Sequence, residues 1–302
     1  MNLDGVPLDL DVTLCCGQAF RWDKKGDWWY GVAADKTLKV RQANAELDFA
    51  NADQKFVWNY FALDDDLQEI RECVGRDGHI RRALREFWGL RVIRQDPWEC
   101  LISYICATYK NIPAIRHMLL ALSRKLGEKT VLDGMEFFTF PTPRKLANAA
   151  TKDLLACGLG YRAKYVQETS KRIFENSFEL ESLRQLPYLQ AKNKICNLSG
   201  VGPKVADCIL LFSLGKTEAF PVDRWVERVI LNHYADKLPT ELAQKLGQRE
   251  GLSNSDYAKL NSFGREYFGQ YAGYAQEYLY HYERMNPEPC TAKRLGGDAE
   301  NV

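Results

Sequence analysis

The sequence predicts an α+β protein, with an amino-terminal antiparallel β-sheet and helices followed by a mostly helical region. Three observations carry that prediction. Between Leu8 and about Leu47, short alternating runs such as "WWYGVAADKTLKVRQ" are broken at Gly26-Asp27 and Ala34-Asp35-Lys36, the period-two signature of half-buried strands. After Asn51, apolar residues recur at helical spacing in "QKFVWNYFAL", "DDLQEIRECV" and "HIRRALREFWG", and these helices are expected to cover one face of the sheet. At "RVIRQDPWECLISYICATY" Asp96 fits an N-cap, Pro97 the first helical position and Glu99 the third, a capping box that opens a second region near residue 95.

From there to about Arg284, segments of ordinary helix length end at local stops: Gly127, Pro141-Thr142-Pro143, Gly158-Leu159-Gly160 and Pro187. The expected organisation is therefore a sheet with helices over 1–94, a helical domain over 95–286 with a helical hairpin near 190–212, and a flexible tail over 287–302. The last stretch, "NPEPCTAKRLGGDAENV", is polar and rich in breakers. No internal repeat of solenoid period is present.

Composition narrows the function classes. A chain of 302 residues that is 46% hydrophobic and 27% charged is an ordinary folded protein, not a disordered or collagen-like one. A formal net charge of +1 supplies no overall field, so contact with a polyanion must come from a local cluster. The nine cysteines include no C-x-x-C pair and there are only four scattered histidines, which argues against a zinc or iron-sulfur site. No metal or other cofactor is expected. The irregular odd cysteine count reads as free thiols in a reducing, intracellular compartment. No apolar run approaches a membrane span, and the amino terminus is acidic where a targeting sequence is basic.

The stretch "LSGVGPKVADC", residues 198 to 208, concentrates the chemistry. A G-V-G turn between two amphipathic segments leaves backbone N–H groups of Gly200, Val201 and Gly202 at a helix start, a cradle for a phosphate. Pro203 begins the helix and Lys204 sits on its first turn, where the positive end of the helix opposes an ammonium. Partial desolvation acts in the same direction and favours the neutral, nucleophilic amine. Alone, the pattern is first that of a well-made turn followed by a solvated lysine. Nineteen residues on, "FPVDRWVERVILNHY" places Asp223 before another helical segment, where it reads as an N-cap and also as a carboxylate able to support developing positive charge. A helix and a short return would bring the two together.

In this order, L-x-G-V-G-x-K-V-A-D-C, a helix and then P-V-D, the chain resembles the helix-hairpin-helix Gly/Pro-Asp (HhH-GPD) superfamily of DNA glycosylases. Within it the chain looks most like the 8-oxoguanine DNA glycosylases of the eukaryotic type, through "GQAFRW", "RQDPWECLISYICAT", "GLGYRAKYV", "GVGPKVADC" and "YAGYAQEYL". The resemblance implies an α+β fold with an HhH-GPD domain, a base-excision-repair enzyme with both glycosylase and AP lyase activity, and duplex DNA containing oxidised guanine as partner. It implies that Lys204 attacks C1′ and forms a Schiff base, that Asp223 supports the charge in the transition state, and that β-elimination follows. It also implies a base pocket of Gly17, Cys208, Gln276 and Tyr280, with the Gly17 carbonyl accepting from the N7–H that distinguishes 8-oxoguanine from guanine. DNA contacts would come from Gly200, Val201, Gly202, Tyr109, Lys110, Asn111, Tyr161, Arg162 and Trp225.

Several positions depart from the family. Tyr109-Lys110-Asn111 stands where the family has three asparagines, Ala114 where it has an arginine, Tyr280 where it has a stacking phenylalanine, and Trp225 where it has a histidine. Arg162 is then the one matched reader of the orphaned cytosine, with Arg116 a substitute or a solvated helical residue. Cys290 stands alone where iron-sulfur members of the superfamily carry a four-cysteine cluster. Two other readings stay open: a glycosylase for a different damaged base, and a non-catalytic DNA-binding hairpin. A monomer is expected. The compartment is the cytoplasm or nucleoid of a prokaryote, or the nucleus of a eukaryote.

Overall fold

A computed structural model of the chain describes residues 1–248 and 251–287. Its elements begin with α1 (Leu10–Cys15), β1 (Trp22–Lys25), β2 (Trp28–Ala33), β3 (Lys36–Ala43), β4 (Glu46–Ala50), α2 (Gln54–Tyr60), α3 (Leu67–Val74) and α4 (Gly78–Glu86). There follow α5 (Pro97–Ala107), α6 (Ile112–Leu126), β5 (Lys129–Leu132), β6 (Met135–Phe138), α7 (Pro143–Ala147), α8 (Thr151–Ala156) and α9 (Arg162–Phe174). The last are α10 (Tyr188–Ile195), α11 (Pro203–Leu214), α12 (Arg224–His233), α13 (Thr240–Gly247), α14 (Asn254–Phe268) and α15 (Ala272–Met285).

The chain forms two compact units, each made of two segments: Met1–Leu67 with Trp88–Lys216, and Gln68–Phe87 with the described residues from Thr217 onward. In the first unit β1 to β4 pair in sequence order as an antiparallel meander, with Trp22 opposite Gly31, Trp29 opposite Val40 and Val40 opposite Phe49. Alternation sends Leu38, Val40 and Leu47 into a core with Leu14, Trp22, Val57 and Phe61, and the Trp22 indole N–H donates to the Tyr60 hydroxyl at 2.9 Å. Burial of the aliphatic members stabilises by about 1.5 to 3 kcal/mol per side chain.

Three expectations require correction. Residues 10–15 form a helix where strands were expected, because Asp9 caps it by accepting from the Val12 N–H. The region read as helical contains the β5–β6 hairpin, whose turn is Asp133-Gly134 with φ of 51° and 73°. Both are positive, as the type I′ turns that Asp-Gly favours require. The Tyr30 and Phe137 rings stack at 6.2 Å, and the Thr37 and Thr130 hydroxyls are 2.6 Å apart. Thirdly, of the helices expected to cover the sheet, α2 packs on it, whereas α4 packs against α15 in the second unit.

The capping box at α5 is half formed. Asp96 accepts from the Glu99 N–H at 2.8 Å, but the Glu99 carboxylate turns to the Arg21 guanidinium at 2.8 Å. Burial raises that carboxyl to about 7 against the opposing pull of Arg21.

In the second unit α12, α14 and α15 pack together with α4. The His79 and His233 rings stack at 3.6 Å, and the Tyr234 and Tyr267 hydroxyls donate to Asp77. Burial, then the neighbouring His233 and Arg82, depress His79 to about 4, and burial with Arg284 depresses His281 to about 4. Both rings therefore take up protons more readily in the unfolded chain, so their stabilising share is present above about pH 6.5 and is lost as pH falls towards 4. Each is worth on the order of 2 kcal/mol. As pH falls from 7.5 to 4.5, the thermal unfolding midpoint of His79→Phe is expected to shift upward relative to that of wild type. A variant-minus-wild-type difference that does not change with pH would count against the assignment.

Among the described residues no helix is long and apolar enough to cross a membrane, and no group of three or more His, Cys, Asp or Glu side chains is placed to hold a metal ion. The eight described cysteines lie outside any disulfide. Cys290 and the expected tail from 288 onward lie outside the described residues.

Candidate active site

The hairpin α10–α11 is built by local chemistry and fastened by a buried ion pair. Pro187 precedes α10, Gly202 and Pro203 open α11, and Gly215 ends it in the left-handed region at φ +70°. Asp207, fully buried on α11, accepts from the Lys192 ammonium at 2.7 Å and from the Tyr188 hydroxyl, both on α10. Such a pair locks the angle between the two helices, and removing one partner would strand a buried charge. Ala191, Ile195, Leu198, Val201 and Val205 close the apolar side.

Between the helices the backbone turns at Gly200, φ +81°, where a Cβ would lie 2.8 Å from the Tyr165 Cβ. Any side chain there would displace α9. Gly202 is exposed, a Cβ on it would meet nothing within 4 Å, and no side chain caps the helix that follows. The first-turn N–H groups of α11 are thus presented beside open space, which is the arrangement that accepts a phosphate oxygen.

Lys204 lies half-buried on that first turn, with Nζ 5.3 Å from the centroid of the Tyr104 ring. One turn on, at i+4, Cys208 is buried. Gly17, half-buried at φ +105°, follows α1, and among the described residues its carbonyl accepts no hydrogen bond. Its neighbour Gln18 is held on every side: Nε2 donates to the Arg91 carbonyl at 2.7 Å and the Thr13 carbonyl at 3.1 Å, and Oε1 accepts from the Ile93 N–H at 2.9 Å.

The same unit gathers the expected DNA-facing residues at the α5–α6 connection and the start of α9. Tyr109 is 94% exposed at φ +53°, an outlier for a bulky residue that the surrounding turn has to impose. Lys110 is exposed, and Asn111 caps α6 by accepting from the Ala114 N–H at 3.0 Å. Arg162 is buried, donates to the Thr108 carbonyl, and lays its guanidinium 4.4 Å over the Tyr161 ring, which is itself 55% exposed. Arg116, half-buried on α6, donates to the Trp22 carbonyl at 2.9 Å and to Asp23 at 2.6 Å.

Asp223, Trp225, Gln276 and Tyr280 belong to the second unit. Asp223 is the N-cap of α12, its Oδ1 accepting from the N–H groups of Trp225 (3.0 Å) and Val226 (2.9 Å). The approach to the cap is rigid, since the Phe220 ring stacks on Phe268 at 6.0 Å and its carbonyl accepts from Asn261 at 2.8 Å. Trp225 is half-buried beneath Arg228, whose Cζ is 5.1 Å from the ring centroid. On α15, Gln276 is 4% exposed, and its buried Oε1 accepts no hydrogen bond among the described residues. A buried amide oxygen without a donor costs about 1 to 3 kcal/mol, which a ligand donor would recover. Tyr280 lies one turn on, with Arg284 5.4 Å over its ring. Burial first, and next the Asp223 carboxylate, push its phenol above the usual range, so the field of Asp223 reaches this ring.

Tyr104, Gln95 and Arg91 escaped the sequence reading. Tyr104 lies within an apolar helical run that carries no local signal of a polar role, and the hydrogen bonds of the other two run to residues distant in sequence.

Residues 1–101 match the family model for the N-terminal domain of 8-oxoguanine DNA glycosylase, and residues 102–249 match that of HhH-GPD superfamily base excision DNA repair proteins. The chain is 33% identical to the N-glycosylase/DNA lyase OGG1 of Arabidopsis thaliana, over 93% of this chain and 78% of that protein. It is 30% identical to the N-glycosylase/DNA lyase of Saccharomyces cerevisiae, over 90% and 82%. Its structure superposes with a TM-score of 0.83, at 33% identity and 93% coverage of each chain, on the Clostridium acetobutylicum 8-oxoguanine glycosylase/lyase bound to double-stranded DNA with cytosine opposite 8-oxoguanine.

Proposed function

Because this chain belongs to the HhH-GPD superfamily of base excision DNA repair proteins and carries the N-terminal domain of 8-oxoguanine DNA glycosylases, we propose that it excises 8-oxoguanine from duplex DNA and nicks the strand at the resulting site. The observation that carries the reading is the α10–α11 hairpin, which presents uncapped backbone N–H groups and the Lys204 amine on one helical turn. The hairpin grips backbone phosphate while the target nucleotide is extruded, at an unstacking cost of a few kcal/mol.

The neutral Lys204 amine attacks C1′, the bond from C1′ to the base nitrogen breaks, and the departing base takes its electron pair and a proton. Asp223 stabilises the positive charge that develops on the sugar, an electrostatic role suited to a carboxylate on a rigid cap. The sugar ring opens to the protonated imine, loss of a C2′ proton expels the 3′-phosphate, and water releases the lysine. The Gly17 carbonyl accepts from N7–H of the oxidised base and meets a lone pair in guanine, a difference of about 1 to 3 kcal/mol. Gln276 pairs the base edge, and Cys208 and Tyr280 flank the base. We propose the domain division of 1–94 and 95–286; the family models meet at 101/102, and the compact units interleave in sequence. We infer an intracellular setting, where such DNA lies.

Borohydride trapping with oligonucleotides bearing different lesions tests the reading. A trapped adduct with 8-oxoguanine is expected; adducts restricted to another base select another lesion, and no adduct with any lesion leaves only a binding module. The same duplexes carrying C, A, G or T opposite the lesion test a second expectation. Tyr109 stacks as a wedge but lacks the amides of asparagine, and Ala114 removes a guanidinium. Preference for cytosine is therefore weaker here than in the family, and a strong preference for C would contradict this.

A further inference from the structure

Resting on the function proposed above, two parts of the first unit must stay in register: the amine that attacks the sugar and the carbonyl that reads the base. We propose that Tyr104 is the positioning residue that holds them so. Its ring lies 5.3 Å from Lys204 Nζ, stacks on Phe212 of the same helix at 5.6 Å and 10°, and meets the edge of Phe20 at 5.8 Å. Its hydroxyl donates to the Gln18 carbonyl at 3.2 Å, one peptide beyond the carbonyl of Gly17. One 4%-exposed side chain therefore touches the nucleophile, the helix that carries it and the base-reading turn.

The physical reason lies in Gly17. At φ +105° and without a Cβ, this residue does not fix its own carbonyl direction. Direction is imposed by Gln18, whose side chain is pinned to Thr13, Arg91 and Ile93 and whose carbonyl is the remaining handle. Two donors hold that handle: Tyr104, and the Gln95 amide at 2.8 Å. The Gln95 backbone N–H in turn donates to the Phe212 carbonyl at 2.8 Å. Both bridges end on α11, so a shift of the turn is a shift relative to Lys204. A phenylalanine would fill the same core volume, so the buried hydroxyl is accounted for by its bond to Gln18.

Tyr104→Phe and Tyr104→Leu separate hydroxyl from ring. Single-turnover excision is measured on 8-oxoguanine and on guanine duplexes, and borohydride trapping on a duplex with a preformed abasic site, which needs the amine but no base reading. Tyr104→Phe is expected to slow 8-oxoguanine excision about threefold to tenfold and to narrow its margin over guanine, with abasic-site trapping within about twofold. Tyr104→Leu is expected to lower both by at least about tenfold. Excision and discrimination in Tyr104→Phe equal to wild type would overturn the proposal, as would equal losses in its excision and trapping. Wild-type protein that traps abasic DNA yet leaves 8-oxoguanine in place would instead refute the substrate reading, while the trapping arm still tests the ring. Tyr104→Phe preserves the packed volume, so loss of fold does not confound that arm.

Discussion

Lys204→Gln is expected to abolish the borohydride-trapped adduct and strand nicking, a loss of at least about a thousandfold. Gln keeps most of the length of the side chain and its place on the first turn of α11, but its amide nitrogen has no lone pair to give. The helix is held by Val205, Ile209, Leu210 and Phe212 and by the bond of Asp207 to Lys192, none of which the substitution touches. Thermal unfolding of the variant is therefore expected to match wild type, and lesion DNA should still bind. Trapping at the wild-type level would show that another amine is the nucleophile.

Asp223→Asn is expected to slow base excision by about a hundredfold to a thousandfold, the range for removing one preorganised electrostatic contact to developing charge. Asn caps a helix as well as Asp does, so the bonds from Trp225 and Val226 persist and the start of α12 stays in place. What is lost is the negative charge. Trapping at a preformed abasic site, where the glycosidic bond is already broken, should fall much less than excision of 8-oxoguanine. Asp223→Ala would also remove the cap, at about 1 kcal/mol of stability, and so would not separate the two roles. Excision by Asp223→Asn within threefold of wild type would remove Asp223 from the chemistry.

Local chemistry was legible wherever the deciding partner lies within a few residues. Asp96 caps α5, Pro203 opens α11, and Asp223 caps α12, because each choice depends on backbone groups two or three positions away. The alternation over β2 and β3 and the helical spacing of α2, α3 and α4 were readable for the same reason. The Asp133-Gly134 hairpin carried its own turn signal, and its short flanking strands were outweighed by the helical pattern around them. Residues 10–15 show the converse, since a capped six-residue helix is too short to display a period.

By itself, then, the sequence determined most of the elements other than α1 and the β5–β6 hairpin, the helical hairpin with its amine, the capping carboxylate and the family to which they belong. Tertiary structure alone decided that Gln68–Phe87 joins the carboxy-terminal helices, that Arg116 pairs with Asp23, and that Gln18 is gripped by Gln95 across 77 positions and by Tyr104 across 86. The reason is that a buried polar group must find a partner somewhere. Which partner it finds is set by the packing of whole elements, a choice among many distant candidates that no local pattern records.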